Sequence, residues 1–483
     1  VTLPPPPTPP PTPTVEPDPD RPNVLFILVD DLDRSLVNPR YMPNLDALLR
    51  QQGAEFKNFF VDVSICCPSR SSFLRGQYMH NTGIYSNVYP GGGFQKFFET
   101  GLEESTVATW MDAAGYRTAL IGKYLNGYAP EDNPLYIPPG WDEWFASSAG
   151  SPQDSYNYVL NENGVPVVYG DSPSDYITDV LSQKASGVIR RAVRDQEPFF
   201  IYLAPDAPHQ PARPAPRYED ALGDVVAPRP PSFDEADVSD KPAYVRERPP
   251  VESHQVFNWD VLYRNRARSM LAVDDMIGSL VVELERLGEL DNTYIIFTSD
   301  NGFHVGQHRL APGKFTPYEE DIHLPLFVRG PGIEPGSVLT RLALNTDIAP
   351  TVAEIGGATT PDFVDGRSLL PLLHQEPVDS WRTGVLYEQG APGAQAPLEG
   401  SEGRPAQALA PRLRALRGLA YIYVEYSTGE REYYDLKVDP YELNNAVDDL
   451  PPGVVTYFSQ RVAELSACRG VGCHDAEDRT PFP

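Results

Sequence analysis

The sequence predicts an α/β fold in which helices flank a large mixed sheet, with a smaller antiparallel α+β unit near the C-terminus. Four apolar runs of strand length alternate with segments of helical periodicity, and this alternation is typical of α/β proteins. The runs cover residues 23–29, 117–121, 199–203 and 293–298. From about residue 380 the pattern changes to short alternating segments, which indicates the second unit.

Each apolar run ends in a loop that carries a charged or metal-competent side chain. In chain order these are Asp30 with Asp31, then Lys123, then His209, and finally Asp300 with Asn301. Ligands of doubly wound sheets bind where the carboxyl ends of the strands meet, so the four loops are expected to converge. A solvated turn is the alternative for the Asp30–Asp31 pair, and that pair alone favours neither interpretation.

Helices are predicted between the strands from apolar spacing and capping residues. Asn44 caps a helix over 45–52, Thr106 opens one that ends by Gly115, and residues 258–287 show a long helical period. The proline-rich stretch 211–250 has no clear period and is interpreted as a long insertion. Substrate choice is assigned to this insertion and to two further loops, 89–97 and 140–175.

The C-terminal unit is predicted from one hairpin and one helix. Residues 421–426 and 431–436 alternate on either side of a Ser-Thr-Gly-Glu turn, which indicates a β-hairpin. A helix follows near 454–466, and the low-complexity stretch 390–410 is interpreted as a loop. A further strand is predicted at 325–328.

Composition limits the partners and the compartment. The 483 residues include 39 Lys and Arg against 67 Asp and Glu, and a net charge of −28 argues against nucleic acid and anionic membranes. No apolar run reaches the length of a membrane span. The spacing of Cys468 and Cys473 suits a local disulfide. A structural metal site is the competing interpretation, but no second pair of this kind is present to complete it. The chain opens at Val1, so we expect that a signal peptide was removed or left out and that the protein is secreted or cell-surface associated.

One short stretch, residues 66–76, contains the candidate reactive residue of the site. A proline near the start of a serine-rich segment that closes on Gly76 predicts a helix beginning at Cys66. A helix N-terminus favours a thiolate, an oxyanion or a bound anion. The alternative is a buried structural cysteine beside Cys67.

The motif Cys66-Cys67-Pro68-Ser69-Arg70, followed by Leu74 and Gly76, resembles the signature of the sulfatase family within the alkaline-phosphatase-like superfamily. Cys66 is the matching cysteine because it stands two places before Pro68. Other short motifs extend the resemblance, and they are closest to the N-acetylglucosamine-6-sulfatase type. They include residues 21–23, 122–126, 208–211, 299–304, 314–320, 347–351 and 434–442.

The resemblance implies an alkaline-phosphatase-like fold and a set of site residues. Cys66 would be oxidised by a separate formylglycine-generating enzyme to formylglycine, an aldehyde that acts as its hydrate. The implied metal ligands are Asp30, Asp31, Cys66, Asp300 and Asn301, which suit Ca²⁺, with Mg²⁺ as the alternative. The implied catalytic residues are Cys66, Arg70, Lys123, His209 and Lys314, and the implied substrate-binding residues are Asn126, His304 and His308.

The implied function is hydrolysis of sulfate monoesters, with 6-O-sulfated N-acetylglucosamine, another sulfated carbohydrate or an aryl sulfate as substrate. The alternatives are a phosphomonoester or phosphonate hydrolase of the same superfamily, and a non-catalytic sulfated-glycan binding protein if Cys66 stays unmodified. Many sulfatases carry histidine at the position of Leu125, and the Lys-Tyr-Leu-Asn pattern here points to the glucosamine-6-sulfatase subgroup. This departure leaves open which residue deprotonates the hydrate.

Three domains are predicted from these patterns. Residues 1–22 are rich in proline and threonine and are interpreted as a disordered tether, because such a segment cannot bury a core. Residues 23–379 form the catalytic domain. Residues 380–483 form the C-terminal subdomain with its small sheet and terminal helix.

Overall fold

The computed structural model describes residues 21–130, 132–150, 154–390 and 410–479, and two sheets organise them. The larger sheet has ten strands. They are β1 (Asn23–Val29), β2 (Ala54–Phe60), β3 (Arg117–Gly122), β4 (Glu143–Gly150), β5 (Tyr158–Glu162), β6 (Val165–Tyr169), β7 (Phe199–Ala204), β8 (Thr293–Ser299), β9 (His323–Arg329) and β10 (Ser337–Leu344).

The larger sheet is mixed, and its centre is parallel. The strand order is β10-β2-β9-β8-β1-β7-β3-β4-β5-β6. Strands β8, β1, β7, β3 and β4 run parallel, whereas β9, β5 and β6 lie antiparallel to their neighbours. In this register Val29 pairs with Ser299 and Ile27 pairs with Leu203. The carboxyl ends of the central strands therefore meet at one edge.

The helices cover both faces of this sheet. They are α1 (Cys66–Arg75), α2 (Met79–Thr82), α3 (Gly93–Glu99), α4 (Val107–Ala113), α5 (Ile177–Asp195), α6 (Ala243–Arg246), α7 (Ser253–Leu287), α8 (Glu319–Ile322), α9 (Ile348–Ile355), α10 (Leu370–Leu373), α11 (Pro452–Leu465) and α12 (Val471–Glu477). Because successive side chains of a strand point to opposite faces, β1 contributes to two cores. Leu25 and Ile27 join the core that contains α5 and α7, whereas Phe26 and Leu28 join the one that contains α1, α4 and α9.

The smaller sheet is antiparallel and closes the C-terminal end. Its strands are β11 (Gly384–Gln389), β12 (Leu413–Gly418), β13 (Tyr421–Tyr426) and β14 (Arg431–Asp435), in that spatial order. Helix α11 packs on this sheet, with Phe458 stacked on Tyr423 and Tyr433. Cys468 and Cys473 form a disulfide. The predicted fold class, hairpin and disulfide are all confirmed.

Several elements differ from the sequence-based expectation. The prediction that 140–175 is a loop is wrong, because this segment contains β4, β5 and β6, whose aromatic residues stack across the sheet edge, as Tyr158 does on Tyr169. Segment 89–97 runs into α3 and so is only partly a loop. Helix α7 begins five residues before the predicted start, and the helix predicted over 45–52 covers Leu45–Arg50 with π-helical hydrogen bonding.

Some predictions stay predictions. Residues 1–20 of the expected tether and residues 391–409 of the expected low-complexity loop lie outside the described residues. The domain boundary near residue 380 is likewise still a prediction. Within the described ranges, none of the helices combines the length and apolar character required to cross a bilayer.

Candidate functional site

Helix α1 begins at the cysteine that the sequence singles out. Ile65 is its extended N-cap, the Ser69 N–H donates the first helical hydrogen bond to the Ile65 carbonyl, and Gly76 ends the helix with φ of 64°. A left-handed residue at this position favours glycine. Cys66 and Cys67 are both buried and neither is in a disulfide. The predicted helix start is therefore confirmed.

Side chains from the strand ends surround Cys66. The Cys66 sulfur lies 3.6 Å from Oδ1 of Asp30 and 2.7 Å from Nζ of Lys314. Lys314 also donates a hydrogen bond to Asp31, and Lys123, directly after β3, donates one to Asp30. The loops after β1 and β3, the start of α1 and the loop that carries Lys314 thus converge on one point.

A second layer of contacts joins the loop after β8 to this point. Arg70 donates from Nε to Oδ2 of Asp300 over 2.8 Å and from Nη1 to the Lys123 carbonyl over 3.0 Å. The Asp31 N–H donates to Oδ1 of Asp300 over 3.2 Å. Asn301 donates from Nδ2 to Oδ1 of Asp31 over 2.7 Å. Asp300 and Asn301, with Arg70 bound to Asp300, therefore fix Asp31 directly after β1.

The loop after β7 contributes a histidine and an acidic residue. His209 places Nε2 3.8 Å from Oδ2 of Asp31, while its Nδ1 lies 2.7 Å from the Gln210 carbonyl. Asp206 was not selected from the sequence. It is buried, and its Oδ2 has no hydrogen-bond partner among the described residues. Its place directly after a buried apolar strand, like that of Asp30, is the signal that could have identified it.

The site brings buried acidic and cationic side chains together. Burial alone would raise the pKa of Asp30, but the charges of Lys123, His209, Arg70 and Lys314 hold it well below its usual value. Burial and the neighbouring Asp30 raise the pKa of the Cys66 thiol to about 12. An unmodified Cys66 is therefore a neutral thiol and a poor nucleophile near pH 7.

The acidic residues have the donor set of a cation site. Ligand-competent atoms of Asp30, Asp31, Cys66 and His209 all lie within 4.8 Å of one another. The buried Oδ1 of Asn301 accepts no hydrogen bond from the described residues, so it is available as a further oxygen donor. Asp31 adopts a left-handed φ of 66°, a strain of about 1–3 kcal/mol that is typical of functional sites. The residues therefore fit a hard divalent cation.

Three predicted substrate-binding residues make other contacts. The ring of His304 lies 3.0 Å from Oδ1 of Asp321 through Nδ1 and 3.0 Å from the Ala311 carbonyl through Nε2. His308 places Nδ1 2.6 Å from Glu235. The carbonyl of Asn126 accepts from the Phe94 N–H, while its buried Oδ1 has no hydrogen-bond partner among the described residues. Their assignment to the substrate stays a prediction.

Comparisons with known proteins agree with this geometry. The family model described as Sulfatase matches residues 22–358, and a model described as N-sulphoglucosamine sulphohydrolase, C-terminal, matches residues 306–466. The N-acetylglucosamine-6-sulfatase of Capra hircus is 34% identical over 95% of this chain and 85% of its own length. An extracellular sulfatase SULF-1 homolog of Drosophila melanogaster is 38% identical over 76% of this chain. The match covers only 33% of that longer protein.

A solved structure extends the similarity to the whole fold. BT4656, in complex with its substrate D-glucosamine-2-N,6-O-disulfate, superposes with a TM-score of 0.75 and 26% identity. The match covers 92% of this chain and 97% of that one. The family model and the goat relative each cover well over half of the chain. The chain thus belongs to the sulfatase family of sulfuric ester hydrolases, with the motifs of the N-acetylglucosamine-6-sulfatase type.

Proposed function

We propose that this protein removes sulfate from sulfated carbohydrates, with 6-O-sulfated N-acetylglucosamine as the first candidate, by means of a formylglycine formed from Cys66 and a bound Ca²⁺. One observation carries the proposal. The Cys66 side chain, at the N-terminus of α1, contacts both Asp30 and Lys314 at the meeting point of the strand ends. A nucleophile, a cation site and an anion-binding lysine are thus within contact distance of one another.

The acidic residues would hold the cation. Asp30, Asp31, Asp300 and Asn301 supply hard oxygen donors, which favour Ca²⁺ and also suit Mg²⁺. When bound, the cation lowers the pKa of a coordinated hydroxyl and offsets negative charge on the substrate. Formylglycine formed from Cys66 would supply, as its hydrate, one hydroxyl to attack sulfur as the alcohol leaves, and a second hydroxyl whose deprotonation would expel sulfate and restore the aldehyde.

Charge balance supports the need for a cation. Lys123 and Lys314 donate directly to Asp30 and Asp31, and Arg70 donates to Asp300. These ion pairs leave little positive charge to attract an anionic ester, and the protein carries a net charge of −28. A dication held by the carboxylates would release both lysines for the sulfate oxygens.

The remaining residues have separate roles in this proposal. Lys123 and Lys314 stabilise the charge that develops on the sulfate oxygens. The Gln210 carbonyl accepts a hydrogen bond from Nδ1 of His209, so Nε2 faces the site. The imidazolium form of the ring would deliver its Nε2 proton to the leaving alcohol oxygen, a role for which Lys314 is the alternative. Arg70 orients Asp300 through a buried hydrogen bond of 2.8 Å.

The proposal includes maturation and location. A formylglycine-generating enzyme must act on Cys66 before the chain folds, because Cys66 is only 1% exposed in the folded protein. The Cys468–Cys473 disulfide and the similarity to an extracellular sulfatase homolog of Drosophila melanogaster support a secreted or cell-surface protein. The proline-rich residues 1–22 would serve as its tether.

A substrate panel tests the proposal. We expect the protein, co-expressed with a formylglycine-generating enzyme, to release sulfate from 6-O-sulfated N-acetylglucosamine and 4-nitrophenyl sulfate far faster than phosphate from 4-nitrophenyl phosphate. Cys66→Ala should lower sulfate release by more than about 10⁴-fold, the scale that follows removal of a nucleophile. Faster turnover of the phosphate ester would favour the phosphohydrolase alternative. Unchanged activity in Cys66→Ala would refute the proposal.

A further inference from the structure

A second group of ligand-competent side chains lies apart from the group around Cys66. It consists of His308, Glu320 and Glu442, and one atom of each lies within 4.8 Å of the other two. His308 follows β8, Glu320 lies in α8, and Glu442 lies in the turn after β14. The fold therefore joins the central sheet region and the C-terminal sheet region at this cluster.

Each member directs an unpaired polar atom into the interior. Nε2 of His308, Oε2 of Glu320 and Oε1 of Glu442 are buried and make no hydrogen bond to any residue that the structure describes. His308 and Glu442 are 0% and 1% exposed. A buried polar atom without a partner costs about 1–3 kcal/mol. A common ligand would satisfy all three atoms.

The orientation of His308 suits metal ligation. Its Nδ1 lies 2.6 Å from Oε2 of Glu235, and Lys241 lies 3.2 Å from the other carboxylate oxygen of Glu235. Nδ1 of His308 donates its proton to Oε2 of Glu235, so Nε2 keeps a free lone pair. A carboxylate that holds the distal nitrogen of a histidine is the usual support of a metal-ligating histidine. Burial also lowers the pKa of His308, which favours the neutral ring.

Glu442 is fixed in a similar way. Its Oε2 accepts a hydrogen bond of 3.1 Å from the Glu319 N–H, which leaves Oε1 for the cluster. Glu320 and Glu442 thus bring two buried carboxylate oxygens without hydrogen-bond partners among the described residues close together. Two ionised carboxylates in this arrangement are unfavourable unless a cation neutralises them.

We propose that His308, Glu320 and Glu442 form a second cation site that binds a zinc-class transition-metal dication. An imidazole nitrogen with two carboxylate oxygens is a donor set of zinc proteins, whereas Ca²⁺ takes oxygen donors only. The bound ion would fasten the loop that carries Lys314 to the turn that follows β14. This role replaces the substrate-binding role that the sequence suggests for His308.

Zinc analysis of the full-length protein tests this proposal. The Asp31→Asn variant weakens the first site, so zinc retained after chelator treatment and gel filtration reports the second site. We expect about one zinc per chain in Asp31→Asn. Adding His308→Gln or Glu442→Gln should remove it, and adding Glu235→Gln should weaken binding about 10–100-fold. Absence of zinc in Asp31→Asn, or full zinc content in folded His308→Gln and Glu442→Gln variants, would overturn the proposal.

X-ray absorption on zinc-loaded Asp31→Asn tests the same site without substitution of the proposed zinc ligands. The result therefore does not depend on whether the His308 and Glu442 variants fold. The expected zinc environment contains one imidazole and oxygen donors, without sulfur. A sulfur neighbour would assign the metal to Cys66 and would overturn the second site. Zinc should also raise the melting temperature of Asp31→Asn. These readouts do not depend on sulfatase activity, so failure of the proposed function would leave them unchanged.

Discussion

Nζ of Lys314 lies 2.7 Å from Sγ of Cys66 and donates to Asp31 as well, so one ammonium group joins the cysteine to the acidic cluster. In the proposed formylglycine, oxygen would take the place of this sulfur and Cβ of Cys66 would be the aldehyde carbon. A cation in this position is suited to compensate charge on a group that is transferred there.

Replacement of Lys314 should therefore affect the chemical step. We expect Lys314→Met to lower kcat for 4-nitrophenyl sulfate by about 10²–10³-fold, the usual effect of removing one contact that stabilises transition-state charge. Lys57→Met is the control, because Lys57 lies at the surface and pairs with Glu55. Steady-state kinetics that gave Lys314→Met a kcat within about threefold of the parent would contradict the role.

Calcium content should follow the acidic loop residues. We expect the parent protein to contain about one Ca²⁺ per chain and Asp31→Asn to bind it at least about tenfold more weakly, because one ionised donor is lost. Elemental analysis and calcium titration measure this effect. Asp46→Asn removes a carboxylate whose partners are Arg50 and Gln51, and it should bind calcium as the parent does. Equal calcium affinity in the two variants would remove Asp31 from the site.

Stability should fall as pH rises through the titration of His80. Burial opposes protonation of His80, but the hydrogen bond and the charge of Glu388, 2.5 Å away, raise its pKa above the usual value of 6.5. The folded state thus binds the proton more tightly. The contribution is fully present below pH 6.5 and is lost as pH rises through the higher folded-state pKa.

The His80→Gln variant tests this dependence. We expect it to unfold at lower denaturant concentration than the parent, with a loss of about 1.5–3 kcal/mol at pH 6, the range for hydrogen bonds to charged groups. The difference should shrink by pH 9. Denaturant curves at both pH values measure it, and a difference independent of pH would show that His80 acts through packing alone.

A buried ion network holds the C-terminal helix. Arg382 donates to Oδ1 of Asp347 over 2.8 Å and to Glu477 over 3.0 Å, and all three side chains are inaccessible to solvent. We expect Arg382→Met to lower the free energy of unfolding by about 3–5 kcal/mol, because it leaves the buried carboxylate of Asp347 without its cation, whereas Glu477 keeps its ion pair with Arg367. Arg431→Met removes an exposed partner of Glu425 and should cost less than about 1 kcal/mol. Similar losses in the two variants would contradict this account.

The sequence was sufficient for the parts of the site that local rules control. A few neighbouring residues predict both the strand that ends before Asp30–Asp31 and the start of α1, which a proline marks. Asp206 was missed because one acidic residue among prolines also fits a solvated turn. The strands within 140–175 were missed because their partners lie at a sheet edge that no local pattern defines.

The second cluster could not be predicted from spacing. Glu442 is distant in sequence from His308 and Glu320, and only the packing of the C-terminal sheet against the loop after β8 brings them together. Each residue alone resembles an ordinary loop or helix position. What distinguishes them is burial without a hydrogen-bond partner, which is a property of the folded chain.

The mass of the peptide that contains Cys66, taken from protein purified from its native source, tests the central claim most directly. The account predicts that the sulfur of Cys66 is replaced by oxygen with the loss of two hydrogens, while Cys67 keeps its thiol. Full sulfatase activity in protein whose Cys66 is entirely an unmodified thiol would contradict it.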